Sequence, residues 1–498
     1  MNNKRKIWWP IIIALSLSIG ILLGNFFAKR TQPEGFSNSF LKSLFQRSSK
    51  VNALLGLIEQ QYVDEVNLDS ITEDILPKIL ANLDPHSVYI PASDLQLANE
   101  ELEGSFSGIG IQFNIQEDTV MIVSVISGGP SEKLGIQPGD RIIAVNDTSF
   151  VGKDITTEKV LKKLRGEKGS VVKVNIKRTG AKALLSYKIT RGDVPVSSID
   201  AAYIVKPQVG YIKVSKFGTT TYEEFLTALS KLKNKGANSF IIDLRGNSGG
   251  YLDAAINMIN EFLPKGRLIV YTYGKAYPRS DAYADGTGSC QHAKIAVLID
   301  EWSASASEIF AGAIQDNDRG LIIGRRSFGK GLVQQQIPFS DGSAVRLTIA
   351  RYFTPSGRSI QKPYKKGDDE AYEMDIVNRY LHGEFDAKDS IQVKDSLQFK
   401  TLGGRVVYGG GGVMPDIFVP RDTSGYTAYY NKIVNAGYIY EYAFKYTDNN
   451  RSRLKKIKTR QQLLALLQEE NLLEPFAEYV SQKGLKNNPY SLAISGKL

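Results

Sequence analysis

Histidine is nearly missing from this chain. Only His86, His292 and His382 occur in 498 residues, and Cys290 is the single cysteine. One cysteine excludes an internal disulfide, and histidines scattered this widely offer no zinc-ligand spacing. A serine–histidine pair is also poorly served, because nothing around His292 would orient an imidazole. Cys290 is no better placed as a nucleophile. Blocks of one charge are scarce too: 62 Lys+Arg against 52 Asp+Glu leave a formal +10, and basic residues bunch only at Arg451, Arg453, Lys455 and Lys456. A surplus spread this thinly reads as a solvated surface and argues against a nucleic-acid partner. No metal or cofactor is expected.

One long apolar run is present, over residues 7–28. Lys4-Arg5-Lys6 precede it, and Trp8 and Trp9 fall where an interfacial aromatic anchor belongs. This pattern predicts an uncleaved single-pass anchor in the cytoplasmic membrane, within residues 1–30, with the rest of the chain on the extracytoplasmic (periplasmic) side. A cleaved signal peptide is the rival, but the run is long for that role and lacks a small-x-small site.

At this length two or three domains are expected. Residues 31–104 read as a helical region: Leu54, Leu55, Ile58 and Tyr62, then Ile71, Ile75, Ile79 and Leu83, recur at helical spacing. His86, beside Pro85, reads as a capping or packing residue. Residues 105–191 change to short strands with glycine punctuation. From Val209 onward, strands (209–214, then the buried apolar runs 239–244 and 295–300) alternate with helical stretches (221–232, 252–262), which indicates an α/β layer structure over 192–425. Ser340-Asp341-Gly342-Ser343 signals a hairpin. Residues 364–400 read as a charged, irregular excursion, and 426–498 as a polar helical tail without a functional reading.

Chemistry concentrates in two blocks, Ser303-Ala304-Ser305-Ala306-Ser307-Glu308 and Phe328-Gly329-Lys330-Gly331-Leu332-Val333-Gln334. A serine hydroxyl needs a neighbouring base, and a lysine serves only when burial or a nearby cation keeps it neutral. Arg325 and Arg326 are candidate cations. Gln334, four residues beyond Lys330, shares its face on an extended segment and can hold the amine without adding charge. A serine starting a helix after a buried strand gains oxyanion donors, with the Ala306 N–H one natural choice. The second donor is expected from the glycine-rich strand end 245–250. Glu308 reads as a structural hydrogen-bonder. Ser303 and Ser307 remain alternatives to Ser305.

Two resemblances sharpen these readings. Gly108-Ile109-Gly110-Ile111 and Leu134-Gly135-Ile136-Gln137-Pro138-Gly139-Asp140 resemble a PDZ domain, which implies that Gly108, Ile109, Gly110 and Ile111 contact a peptide C-terminus. The 243–250, 303–312, 328–334, 354–361 and 408–416 motifs resemble the carboxyl-terminal processing peptidases (tail-specific proteases) across residues 50–425. The resemblance implies a crotonase-like α/β protease core with an inserted β-rich PDZ domain and helical terminal segments. It implies Ser305 as nucleophile, Lys330 as general base and Gln334 as its positioner. Gly250 and Ala306 become the oxyanion donors, with Gly249 as fallback. Ser248 departs from the pattern, where a proline is common. Partners implied are protein or peptide C-termini as substrates and a homo-oligomer through terminal helices. The competing reading is a non-catalytic tail-binding protein; a further one makes Arg165 a relay through which the PDZ domain gates the cleft.

Overall fold

The computed structural model describes residues 38–498 apart from Glu101 and Lys394, with backbone only for 38–49 and Asp395. The chain divides into two compact units, residues 1–76 and 77–498. In the first, residues 38–76 are described: the helix Asn38–Gln61, a short connection and the start of the helix Leu68–Ala81. The expected membrane location is corrected here. Among the described residues no helix is long and apolar enough to cross a membrane, so a single-pass topology is not supported. The run 7–28 that carried the expectation lies outside the described residues.

The second unit is mixed α/β. Its central sheet has the order Ile199–Lys206, Val209–Val214, Ser239–Asp243, Lys294–Ile299, Leu321–Gly324, Ile417–Phe418. All neighbours are parallel except the first pair. Parallel neighbours need crossovers, and the amphipathic stretches supply them as the helices Thr221–Asn234, Leu252–Asn260 and Ala306–Asp316. Val214, Ile242, Val297 and Ile299 from the strands and Phe225, Ile259 and Phe310 from the helices share one core. The helix Ala306–Asp316 is buried along its whole length. That burial explains its run of Ala, Gly and Ser, since larger side chains would not fit between the layers.

A second sheet carries Val88–Ile90, Ala344–Phe353, Leu268–Tyr273 and Ser280–Tyr283, with Leu332–Pro338 also paired to Ala344–Phe353. The hairpin signal at 340–343 joins the last pair, in register Pro338↔Ala344. The β-rich insert is a separate sheet, ordered Ile111–Gln116, Thr119–Val125, Arg141–Val145, Val171–Lys177, Leu185–Thr190, with its own core around Val120, Ile142, Val160 and Val172. Its entry and exit strands, Ser105–Gly108 and Gly192–Pro195, pair with each other. The excursion 364–400 differs from expectation, for it holds a helix, Asp369–Leu381, capped by Asp368. Tyr372 and Arg379, buried on that helix, tie it to Gln361 and to the Ser327 carbonyl.

Candidate active site

Two strand ends build the serine side of the site. After Ser239–Asp243 the chain turns through 245–250, and after Lys294–Ile299 through 300–305. The turns are laced together. Ala304 N–H donates to the Asn247 carbonyl (3.0 Å), Gly246 N–H to Asp300 Oδ1 (2.9 Å) and Asn247 Nδ2 to the Val214 carbonyl (3.0 Å). Ser305 then caps the helix with φ +56° and ψ −115°, a conformation that non-glycine residues rarely adopt.

The three serines separate cleanly. Ser303 Oγ donates to the Leu244 carbonyl (2.8 Å) and Ser307 Oγ to the Asn247 carbonyl (2.9 Å), both fully buried. Ser305 instead lines a cavity of about 380 Å³ together with Lys330, Gln334, Gly249, Gly250 and Ala306.

The glycines of the facing turn are demanded by space. A Cβ on Gly250 (φ +140°) would sit 2.1 Å from the Phe217 carbonyl oxygen, and one on Gly249 (φ +105°) 2.7 Å from Ser305 Cβ. Gly249 N–H already donates to Asn247 Oδ1 at 2.8 Å, which removes it as the fallback oxyanion donor. Among the described residues no protein acceptor takes the N–H of Gly250 or Ala306.

The lysine side is assembled from distant segments. Lys330 Nζ donates to Gln334 Oε1 at 2.9 Å, across a bulge between Val333 and Gln334. Gln334 Nε2 donates in turn to the His86 carbonyl. His86 thus holds Gln334 through its backbone. Its ring meets the Tyr372 hydroxyl (2.9 Å), and burial with the nearby Lys330 charge lowers its pKa to about 4. Burial, then the cation of Arg346, lowers the pKa of Lys330, as a general base requires. The expected cations are engaged elsewhere: Arg325 pairs with Glu301 and Arg326 with Glu384.

Glu308 fastens the two sides together. Its fully buried carboxylate accepts from Ser305 N–H (2.9 Å), Ser327 Oγ (2.5 Å), Gly329 N–H (2.7 Å) and Lys330 N–H (2.8 Å). Tyr352, also buried, adds a second tie, its hydroxyl lying between the carbonyls of Ser305 (3.1 Å) and Lys330. Sequence reasoning missed Tyr352 and Arg346; both stand on Ala344–Phe353, two strand positions from Ala350 and Thr348, and only the alternation of that strand hinted at a shared face. In the 354–361 motif, Arg358 is fully buried against Asp316 (2.8 Å) and fixes the far end of the serine helix.

The other sequence candidates fall elsewhere. Cys290 is buried, and burial pushes its thiol pKa up, while His292 and His382 are exposed. Ile109 and Ile111 bury their side chains in the core of the insert, so the 108–111 segment can offer a ligand only its backbone. No cluster that could hold a metal occurs among the described residues.

A family model for peptidase family S41 matches residues 208–370, one for PDZ domains matches 107–189, and one for a family of unknown function matches 429–498. The carboxy-terminal processing protease CtpB of Bacillus subtilis is 33% identical over 347 residues, 69% of this chain and 71% of that protein. A probable CtpA-like serine protease of Staphylococcus epidermidis is 34% identical over 363 residues, 72% of each chain. This chain belongs to peptidase family S41, with the carboxy-terminal processing proteases. It is a serine-type peptidase carrying a PDZ domain. Among solved structures, the photosystem II D1 C-terminal processing protease is 26% identical, with 74% of this chain and 91% of that chain covered and a TM-score of 0.37.

Proposed function

We propose that the chain is an endopeptidase that cuts polypeptides near apolar C-terminal tails held by its PDZ domain, through an acyl-enzyme on Ser305. Neutral Lys330 takes the Ser305 proton as Oγ attacks the scissile carbonyl. The oxyanion of the tetrahedral intermediate turns to the N–H groups of Gly250 and Ala306. Lys330 then returns the proton to the leaving amine, and afterwards activates the water that hydrolyses the ester. Gln334 holds the amine with a neutral acceptor throughout. The observation that carries this reading is the half-buried Lys330 amine bonded to an amide oxygen rather than a carboxylate, in the cavity that Ser305 lines.

The test is turnover of a peptide with an apolar C-terminus. Ser305→Ala and Lys330→Ala should each lower kcat/KM by about a thousandfold or more. Lys330→Arg should fail as well, since a guanidinium stays protonated. Undiminished turnover in any of the three overturns the assignment. A reagent for active-site serines should label Ser305 in the parent protein, which a purely tail-binding protein would not permit.

Tail capture belongs to the same proposal, with the backbone N–H groups of Gly108, Ile109, Gly110 and Ile111 holding the terminal carboxylate. The strand Ile111–Gln116 supports this, because it lies at an edge of its sheet and leaves a free side for an added strand. Gating by the PDZ domain is the second reading, favoured by one helix. Glu100 pairs with Arg165 of the PDZ domain, while the adjacent Asn99 reaches the catalytic cavity and accepts from Gln336 Nε2 at 2.9 Å. Deleting residues 105–190 should make cleavage independent of the tail. Association through terminal helices belongs to the same proposal: Leu54 and Leu57 on Asn38–Gln61 are 58% and 52% exposed, and sedimentation of the full chain checks it.

A further inference from the structure

The catalytic cavity contains a guanidinium whose part in the reaction, as a cation beside Lys330, leaves most of its hydrogen-bond donors unspent. Arg346 lies on Ala344–Phe353, opposite Gln336 on one side and Val88 on the other, and its side chain lines the cavity beside Lys330. Its hydrogen bond, from Nη2 to Gln336 Oε1 at 3.0 Å, is to a neutral amide. Gln336 is fixed by donating to Asn99 Oδ1. Among the described residues Arg346 has no ion pair, and no aspartate or glutamate lines this cavity. The arginines at 325, 326, 358 and 379 have carboxylate partners, whereas the Arg346 fork meets an amide oxygen.

A guanidinium carries five N–H donors in a planar fork matched to a carboxylate, and it keeps its charge in any cleft. Here one donor is spent on an amide that also fixes the fork's direction. The cavity lining is mixed. Leu252, Ile309 and Leu332 line it with apolar surface, whereas Arg346, Gln336 and Asn99 supply polar groups. The apolar surface accepts an aliphatic side chain; the guanidinium has no anion among the lining residues.

We propose that Arg346, held by Gln336 and Asn99, forms a subsite for a carboxylate of the bound polypeptide. The proposal rests on the peptidase reading above and adds a preference to it. The carboxylate has two sources, an aspartate or glutamate side chain near the scissile bond or the terminus of a tail cut close to its end.

The experiment uses the full chain and four peptides of one parent sequence, with Glu or Gln beside the scissile bond, each ending in a free acid or an amide. Affinity is measured on the Ser305→Ala protein, and kcat/KM on the parent, each with and without Arg346→Met. The PDZ domain also responds to a free terminus, so only the part of each preference that Arg346→Met removes is assigned to the subsite. The expected result is about tenfold tighter binding of one carboxylate form, as for a charge-assisted hydrogen bond, erased by Arg346→Met and partly kept by Arg346→Lys. Loss of the Glu preference names a side chain as the source; loss of the free-acid preference names the terminus. If Arg346→Met leaves every ratio intact, the subsite is overturned. The two readings fail separately: absence of cleavage by the parent rejects the peptidase, while the binding ratios still decide the subsite.

Discussion

Ser305 is held by residues close to it in sequence and by one facing turn, whereas Lys330 is held by groups drawn from across the chain. The serine turn follows a buried parallel strand, opens a buried helix and meets 245–250 from the neighbouring strand. The lysine depends on Glu308, Gln334, Gln361 (accepting from Gly331 N–H at 2.7 Å), Tyr352 and the carbonyl of His86. A nucleophile fixed by strand order tolerates little local change. A base fixed by many separate contacts should lose function in steps, and that difference can be tested.

The largest loss is expected on the serine side. Gly250→Ala puts a Cβ into the Phe217 carbonyl and imposes a side chain at φ +140°. It displaces the N–H proposed as an oxyanion donor, and kcat should fall by about a hundredfold to a thousandfold. Single-turnover kinetics should show acylation slowed, while affinity for the tail persists. Retained acylation would move the second donor elsewhere.

Glu308→Gln strikes the tie between the two sides. An amide replaces one of two accepting oxygens with a donor, facing N–H groups that need acceptors, and activity should fall by about a hundredfold. Burial pushes the Glu308 carboxyl up to about 7 from its ordinary 4.5, against the hydrogen bonds that favour its charge. Between those values the folded chain holds a proton that the unfolded chain has lost. This group's contribution to stability therefore falls as pH rises from about 4.5 to about 7. Urea midpoints at pH 5 and pH 8 should differ less in Glu308→Gln than in the parent. An equal difference in both would place the charge of Glu308 outside the balance.

What could be read in the sequence follows the same division. The strands 239–244 and 295–300 were legible from their continuous apolar runs, 209–214 from its apolar residues on one face, and the glycine-rich turns because their backbone admits no Cβ. Ser305 and Lys330 were visible as short blocks. Their partners were less so: Tyr352 and Arg346 lie in an ordinary strand pattern, His86 acts through a carbonyl that any residue would supply, and Arg325 and Arg326 looked like the tuning cations although both are paired. Contacts between segments far apart leave no period or spacing to find. The helix Asp369–Leu381 was hidden for a similar reason, its charged face masking the burial of Tyr372.

A smaller effect is expected on the base itself. With Lys330 lowered first by burial and then by Arg346, kcat/KM should rise with pH along a limb lying below the ordinary lysine value of 10.5. Arg346→Met removes the second cause and should move that limb upward, with the plateau at high pH largely kept. A limb that stays put would leave burial as the whole cause.

Tyr352→Phe gives the finest test, because its two contacts are unequal. The Ser305 carbonyl also accepts from Glu308 and Ile309 N–H (2.9 and 3.0 Å), so it keeps partners when the hydroxyl is removed. The Lys330 carbonyl has the hydroxyl of Tyr352 as its partner, and there the loss falls. The base loop should therefore loosen while the serine turn stays in place, lowering kcat by about tenfold. Labelling of Ser305 by a small reactive phosphonate separates the two sides if it is read against pH. Slower labelling with an unmoved pH limb means that Lys330 is displaced without being retuned. Unchanged kcat would mean that Glu308 holds the loop by itself, and that the lysine side is more redundantly fixed than the serine side.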